Sequence, residues 1–144
     1  MPEVVEACWG MERFGDLLAE SDVVAVCAPL TEETRGLFDR AAFARMRQHA
    51  LLINVTRGKI VDEEALIEAL EQGQIGEAGL DVTPQEPLPQ DHPLWHMDNV
   101  VVTPHTAGGS PNRDDRITAL FCDNLRRLLA DEPLLSTIDK SKGY

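Results

Sequence analysis

Four short apolar runs recur along the chain, each bounded by turn residues or by a helical pattern. They are VVAVCAPL at 23–30, ALLINV at 50–55, AGLDV at 78–82 and NVVVTP at 99–104. Short apolar runs with such punctuation are typical of strands buried in a parallel sheet. The pattern therefore predicts four buried parallel strands.

The segments between these runs carry the periodicity of helices. Asp62 is placed to cap EEALIEALEQ, Gly73 is placed to end it, and one apolar stripe is formed by Ala65, Leu66, Ala69 and Leu70. Weaker helical patterns cover 11–21, 32–38 and 40–48. The longest helix is predicted over about 111–130, with Ser110 as its N-cap. Strands that alternate with helices predict an α/β fold.

Composition and charge narrow the class of partner. The chain has 144 residues, 43% of them hydrophobic, and a formal net charge of −12. Nucleic acids and anionic membranes are bound through Lys and Arg clusters, so we expect neither as a partner. Cys8, Cys27 and Cys122 lack zinc-type spacing, and no apolar run approaches the roughly 20 residues of a membrane helix. We expect a cytoplasmic protein that binds a small molecule and no metal.

Three polar residues follow three different predicted strands. Arg57 follows ALLINV, Glu86 lies in the loop after AGLDV, and His105 follows NVVVTP. Ligands of α/β sheets bind outside the carboxyl ends of the strands, so these side chains are expected at one edge. Arg57 stands beside a buried strand end, where water is scarce, and a bound anion is its expected partner.

Together these residues suit the oxidation of an alcohol next to a carboxylate. Arg57 can hold the carboxylate through two parallel hydrogen bonds, and His105 can take the hydroxyl proton. Glu86 can bind the other ring nitrogen of His105, which sets the tautomer and favours the protonated ring. Side chains cannot accept the hydride, which implies a nicotinamide. Taken singly, Arg57 and His105 are more simply explained by structural hydrogen bonds, and Glu86 by a solvated acid in a loop.

Four motifs in order resemble the carboxyl-terminal part of the D-isomer-specific 2-hydroxyacid dehydrogenase family: SDVVAVCAPLTEETRGLF, LLINVTRGKIVDEEAL, AGLDVTPQEPLP and NVVVTPHTAGGSP. The resemblance implies the same roles for Arg57, Glu86 and His105. It implies NAD or NADP as cofactor, with NAD favoured, and a 2-hydroxy or 2-oxo acid as substrate. The implied cofactor contacts are Pro29, Thr31, Val55, Thr56, Arg57, Asp81, His105, Ala107 and Gly108. Thr83 stands where relatives often carry an aromatic residue.

The resemblance also implies a partial Rossmann-like parallel sheet with flanking helices. No G-x-G-x-x-G motif occurs, so the glycine-rich first βαβ half, which receives the cofactor's pyrophosphate, is expected to be lacking. We expect a single, incomplete nucleotide-binding domain over residues 1–144. Its helix at about 111–130 would pack toward an absent substrate domain, which leaves an exposed apolar face.

We therefore expect a truncated or split NAD(P)-dependent oxidoreductase that interconverts a D-2-hydroxy acid and its 2-oxo acid. It would form a homodimer or pair with a missing amino-terminal half. One alternative is a non-catalytic cofactor-binding or protein-interaction remnant of the family. Another is an enzyme of this family that oxidises formate or phosphite, although a histidine and glutamate pair suits a hydroxyl proton better than formate.

Overall fold

The strands run parallel and follow chain order across the sheet. In the computed structural model, which describes residues 5–140, they are β1 (Val23–Val26), β2 (Leu51–Asn54), β3 (Glu77–Leu80) and β4 (Val100–Val102). The sheet order is β1-β2-β3-β4. One row across the sheet contains Val24, Leu52, Ala78 and Val100. The predicted α/β fold is confirmed, and the four carboxyl ends share one edge of the sheet.

The described residues form two compact units, 5–105 and 106–140. The first unit contains the sheet and three helices: α1 (Phe14–Glu20), α2 (Arg40–Phe43) and α3 (Glu63–Glu71). It also has short 3-10 helices at Met11–Arg13, Gly58–Ile60 and Pro93–His96. A single domain over residues 1–144 stays a prediction.

One face of the sheet is buried and the other is open. The buried face joins a core made of strand residues and of helix residues such as Leu18, Phe43 and Leu66. On the opposite face, Val23 is 55% exposed and Val101 is 66% exposed. The prediction of fully buried strands is therefore wrong for this face, because α1, α2 and α3 contribute to the core on one side only.

Helix α3 begins and ends as its sequence predicts. The Asp62 carboxylate accepts a hydrogen bond from the Ala65 backbone N–H at 3.1 Å, which makes Asp62 the N-cap. Gly73 has a φ of +64°, a left-handed conformation that favours glycine after a helix. The predicted apolar stripe is buried in full: Ala65, Leu66, Ala69 and Leu70.

The predicted helix at 32–38 is wrong, because side-chain hydrogen bonds and a glycine fold this segment into turns. The Thr34 hydroxyl donates to the Pro29 carbonyl oxygen at 2.7 Å and accepts from the Thr31 N–H at 2.8 Å. Gly36 follows with a φ of +63°. The pattern at 40–48 forms a helix only over α2, whose N-cap Asp39 accepts from the Ala42 N–H.

The second unit contains one long helix, α4 (Arg113–Leu129). Its N-cap is Asn112, without a side-chain bond, so the prediction of Ser110 is wrong. The Ser110 hydroxyl instead accepts from the Asn112 N–H at 3.4 Å, one turn before the helix. No residue of α4 is buried, and its apolar face is exposed: Ile117, Leu120, Phe121, Leu125, Leu128 and Leu129.

Across residues 5–140, none of the helices combines the length and apolar character needed to cross a membrane.

Candidate active site

Asn54 holds the loop that carries Arg57. The Asn54 side chain is 1% exposed; its amide nitrogen donates to the Arg57 carbonyl oxygen at 3.1 Å, and its amide oxygen accepts from the Thr56 N–H at 3.2 Å. The Arg57 guanidinium is exposed and donates to the Thr56 carbonyl oxygen at 2.7 Å. Water is therefore not scarce around Arg57, contrary to the sequence expectation, because the loop turns its side chain outward while Asn54 takes the buried position.

Glu86 and His105 form a hydrogen-bonded pair at the same edge of the sheet. His105 Nδ1 lies 2.9 Å from Glu86 Oε2, and Glu86 Oε1 accepts from the Thr83 backbone N–H at 3.1 Å. The Thr83 hydroxyl donates to the Gln85 carbonyl oxygen at 2.7 Å and closes the turn that carries Glu86. The structure thus brings together two residues that follow different strands.

The charge state of Glu86 defines the tautomer of its partner. The hydrogen bond from His105 lowers the pKa of the Glu86 carboxyl below its ordinary value of 4.5. Desolvation opposes this shift, whereas the Thr83 N–H and the Arg57 charge add to it. An ionised carboxylate can only accept, so His105 Nδ1 carries the hydrogen. In the neutral ring, Nε2 is then the acceptor.

The backbone of His105 is strained. Its φ of 54° lies in the left-handed region, which is uncommon for a residue other than glycine. Its N–H donates to the Thr103 carbonyl oxygen at 3.0 Å, which forms a tight turn directly after β4. Strain of this kind costs on the order of 1 kcal/mol and is concentrated at functional sites.

Two cavities meet at His105 and Glu86. One, of about 250 Å³, brings these two residues together with Arg57 and Lys59. The other, of about 440 Å³, is mainly apolar, and its walls include Leu88, Trp95 and Val102. Arg57, Glu86 and His105 therefore line one cleft at the carboxyl edge, and Glu86 and His105 also line the apolar cavity.

Besides Arg57 and His105, the predicted cofactor residues of the first unit lie after β1, β2 and β3. Pro29 and Thr31 belong to the turn after β1, and Val55, 38% exposed, and Thr56 follow β2. Asp81 follows β3, is 5% exposed, and its carboxylate accepts from the Thr103 hydroxyl at 2.5 Å. Ala107 and Gly108 belong to the second unit. All these cofactor contacts stay predictions.

Asn54 and Thr83 are both buried and hold the site together, although the motifs alone indicate no role for either. A signal existed for Asn54, since a lone amide ends an otherwise apolar strand and must find partners there. No comparable signal marks Thr83. Its contribution to Glu86 is made by its backbone N–H, which every residue except proline carries.

His92 and His96, four residues apart in the segment HPLWH, do not form a metal site with neighbouring acids. His92 Nε2 lies 3.2 Å from Glu63 Oε1, and its Nδ1 accepts from the Leu94 N–H at 3.4 Å, so His92 ties a loop to α3. Within residues 5–140, no group of three or more His, Cys, Asp or Glu side chains is arranged to hold a metal ion. The absence of a metal stays a prediction.

Known proteins share these motifs. The family model described as D-isomer specific 2-hydroxyacid dehydrogenase, NAD binding domain, matches residues 3–107. The glyoxylate/hydroxypyruvate reductase B of Salmonella newport is 52% identical over 111 residues, which are 76% of this chain and 34% of that protein.

Two solved structures have the same fold. The D-isomer specific 2-hydroxyacid dehydrogenase from Xanthobacter autotrophicus, in complex with NADPH and MES, is 46% identical with a TM-score of 0.89, over 100% of this chain and 60% of that one. The NADPH-dependent glyoxylate/hydroxypyruvate reductase from Sinorhizobium meliloti, in complex with NADP and sulfate, is 33% identical with a TM-score of 0.87, over 94% of this chain and 44% of that one.

The chain therefore belongs to the D-isomer specific 2-hydroxyacid dehydrogenase family, and its residues 3–107 match the family's NAD-binding domain. The family and the Rossmann-like fold class predicted from the sequence are confirmed. The chain spans between 34% and 60% of the length of the relatives described above.

Proposed function

We propose that the complete protein containing these residues interconverts a D-2-hydroxy acid and its 2-oxo acid by hydride transfer with NADH or NADPH. The observation that carries the proposal is the cleft shared by Arg57, Glu86 and His105 at the carboxyl edge of an NAD-binding domain. Relatives named as reductases of glyoxylate and hydroxypyruvate, both 2-oxo acids, suggest small substrates of this type.

Arg57 binds the substrate carboxylate in this proposal. Its guanidinium is exposed to the cleft, and one of its nitrogens is held by the Thr56 carbonyl oxygen, which leaves further N–H groups for a carboxylate. A planar fork of donors matches two carboxylate oxygens and fixes the rotation of the substrate. The adjacent carbonyl carbon is thereby oriented toward His105.

His105 moves the proton. In reduction, the ring gives a proton from Nε2 to the carbonyl oxygen as hydride reaches the carbonyl carbon; in oxidation, Nε2 takes the hydroxyl proton. The Glu86 carboxylate holds Nδ1–H throughout and stabilises the charged ring. Each reduction consumes one 2-oxo acid, one reduced nicotinamide and one proton, and yields one 2-hydroxy acid and one oxidised nicotinamide.

The residues present fit the nicotinamide end of the cofactor. Val55 presents exposed apolar surface beside Arg57, and Leu30 lines the cleft, so a ring has a wall to lie against. When bound, the cofactor supplies or accepts the hydride. Residues 1–144 contain no glycine-rich G-x-G-x-x-G motif for the pyrophosphate, so we propose that another segment or subunit supplies this contact.

The test is reduction of glyoxylate and hydroxypyruvate by the complete protein, purified with any co-purifying partner and supplied with NADH or NADPH. We expect turnover of the acids, and about 10- to 100-fold lower kcat/KM for their methyl esters, which lack the charge that Arg57 binds. Equal rates for acid and ester would contradict the role of Arg57. Cofactor binding without turnover of any 2-oxo acid would instead favour a non-catalytic remnant.

The assembly state is tested separately by the native mass of the same preparation. A homodimer would give twice the mass of its chain, and the exposed apolar face of α4 is the feature that supports association. A split enzyme would give two different chains in equal amounts.

A further inference from the structure

The backbone of Gly58 approaches the turn that carries Glu86 very closely. A Cβ atom built on Gly58 would lie 2.0 Å from the Thr83 carbonyl carbon, 2.2 Å from the Thr83 carbonyl oxygen and 2.3 Å from the Pro84 nitrogen. All three are backbone atoms, so no side-chain rotation can make room. Ordinary contact begins at 3.4 Å, so any larger residue would have to push the two segments apart.

Glycine is required here for space and not for conformation. The glycines with positive φ among residues 5–140 are Gly36 and Gly73, and Gly58 is not one of them. Gly58 is also buried, so solvent offers no room for a side chain. The absent Cβ therefore permits one particular contact between two loops.

Each loop in this contact carries part of the proposed site. Arg57 directly precedes Gly58, and its carbonyl oxygen is held by Asn54. On the other side, the Thr83 N–H binds one oxygen of Glu86, whose second oxygen binds His105. The contact of Gly58 with Thr83 thus joins the segment that carries Arg57 to the turn that holds the Glu86–His105 pair.

We propose that Gly58 is a positioning residue, whose contact with the Thr83 and Pro84 backbone sets the spacing between Arg57 and the Glu86–His105 pair. A 2-oxo acid must place its carboxylate at Arg57 and its carbonyl oxygen at His105 at the same time. The consequence for turnover rests on the proposed function, whereas the consequence for the geometry of the pair does not.

Replacement of Gly58 by alanine tests this spacing. The segments must separate by about 1.4 Å, from 2.0 Å to the 3.4 Å of ordinary contact. Because misplacement by about 1 Å can cost about 10²-fold in rate, we expect Gly58→Ala to lower kcat/KM for 2-oxo acids by about 10²-fold. The affinity for NADH or NADPH should change little, since Val55, which is proposed to contact the nicotinamide ring, comes before Gly58 in the sequence.

Gly79→Ala is the matched control. Gly79 lies in β3, and a Cβ there would meet only Ile53 Cγ1, at 3.9 Å, so the alanine fits without displacement. We expect kcat/KM of this variant within a few-fold of the wild type. A comparable loss in both variants would show a general effect of alanine on the sheet and would overturn the proposal.

A second readout is independent of turnover. Nitrogen-15 NMR of the histidine rings at about pH 9, where an ordinary imidazole is neutral, reports which nitrogen carries the hydrogen. The His105 signals are those lost in His105→Asn. In the wild type we expect the Nδ1–H tautomer, because Glu86 accepts from Nδ1, and in Gly58→Ala we expect a mixture of tautomers.

These two readouts separate the possible failures. If the wild type turns over no 2-oxo acid, the proposed function fails, and the ring tautomer still tests Gly58. If Gly58→Ala keeps both wild-type turnover and the wild-type tautomer, the positioning role is excluded. If Gly58→Ala does not fold, Pro84→Gly replaces it, since it frees the backbone that Gly58 contacts and keeps the Thr83 N–H and hydroxyl. Wild-type behaviour of Pro84→Gly in both readouts would then overturn the proposal.

Discussion

Two histidine–carboxylate pairs lie at opposite edges of the same sheet. At the carboxyl edge, His105 Nδ1 is 2.9 Å from Glu86 Oε2. At the amino edge, His49 Nε2 is 2.7 Å from Asp22 Oδ1, directly before β1. By distance alone the two pairs are equivalent, and both carboxyl groups have a lowered pKa.

The neighbours of the two pairs differ. Asp22 Oδ1 also accepts from Arg47 Nη1 at 2.7 Å, so a cation already binds this carboxylate. Glu86 instead shares a cleft with Arg57, whose guanidinium binds a backbone carbonyl oxygen. The ring nitrogens are also used in opposite ways, Nε2 in His49 and Nδ1 in His105. A histidine–carboxylate pair is therefore not a functional site by itself. Whether it forms one depends on the edge of the sheet at which it lies and on the charges next to it.

The largest expected difference between the pairs is in turnover. In the complete protein, Glu86→Gln should lower kcat for 2-oxo acids by about 10²-fold or more, because the amide cannot stabilise the charged His105 ring. Asp22→Asn should leave kcat within about twofold, since the amino edge contacts no proposed substrate group. Steady-state kinetics of both variants measure this difference. Equal losses of kcat in the two variants would contradict it.

The next largest difference between the carboxyl edge and the amino edge should be in the free energy of unfolding. Asn54→Ala removes a buried side chain that satisfies the Thr56 N–H and the Arg57 carbonyl oxygen, so we expect a loss of about 2 kcal/mol in the free energy of unfolding. Arg47→Ala removes an exposed ion pair with Asp22 and a hydrogen bond to the Ala19 carbonyl oxygen, and we expect a clearly smaller loss than in Asn54→Ala. Urea titrations measure both. A larger loss in Arg47→Ala than in Asn54→Ala would contradict the expectation that the carboxyl edge contributes more to stability.

The smallest effect concerns acid stability. Because the folded state lowers the pKa of Glu86, its contribution is fully present above the ordinary value of 4.5 and is lost as pH falls through the lower folded value. Below about pH 4.5, the unfolding free energy of the wild type should therefore fall more steeply than that of Glu86→Gln. Unfolding curves at a series of acidic pH values measure the slopes. Parallel slopes would indicate that the Glu86 bond is absent in solution.

Much of this molecule could be predicted from local sequence, because local rules decide it. The cap at Asp62, the turn at Gly73 and the four strands follow from hydrogen bonding and burial within a few residues. The order of the strands then places Arg57, Glu86 and His105 at one edge, so their common cleft also follows from the sequence.

The rest depends on contacts that local patterns do not report. The 32–38 segment has a helix-like pattern of letters, but the Thr34 hydroxyl and the left-handed Gly36 determine its turns. The contact between Gly58 and Thr83 joins residues far apart in the sequence, and nothing in either neighbourhood signals it. The apolar face of α4 was predicted, yet no local rule specifies what covers it.

The central claim is that His105 transfers the substrate proton, and His105→Asn in the complete protein tests it most directly. We expect kcat/KM for glyoxylate or hydroxypyruvate to fall by about 10²- to 10⁴-fold, with the Kd for NADH or NADPH unchanged. His49→Asn, at the amino edge, should match the wild type in both quantities. Wild-type turnover by His105→Asn would contradict the account.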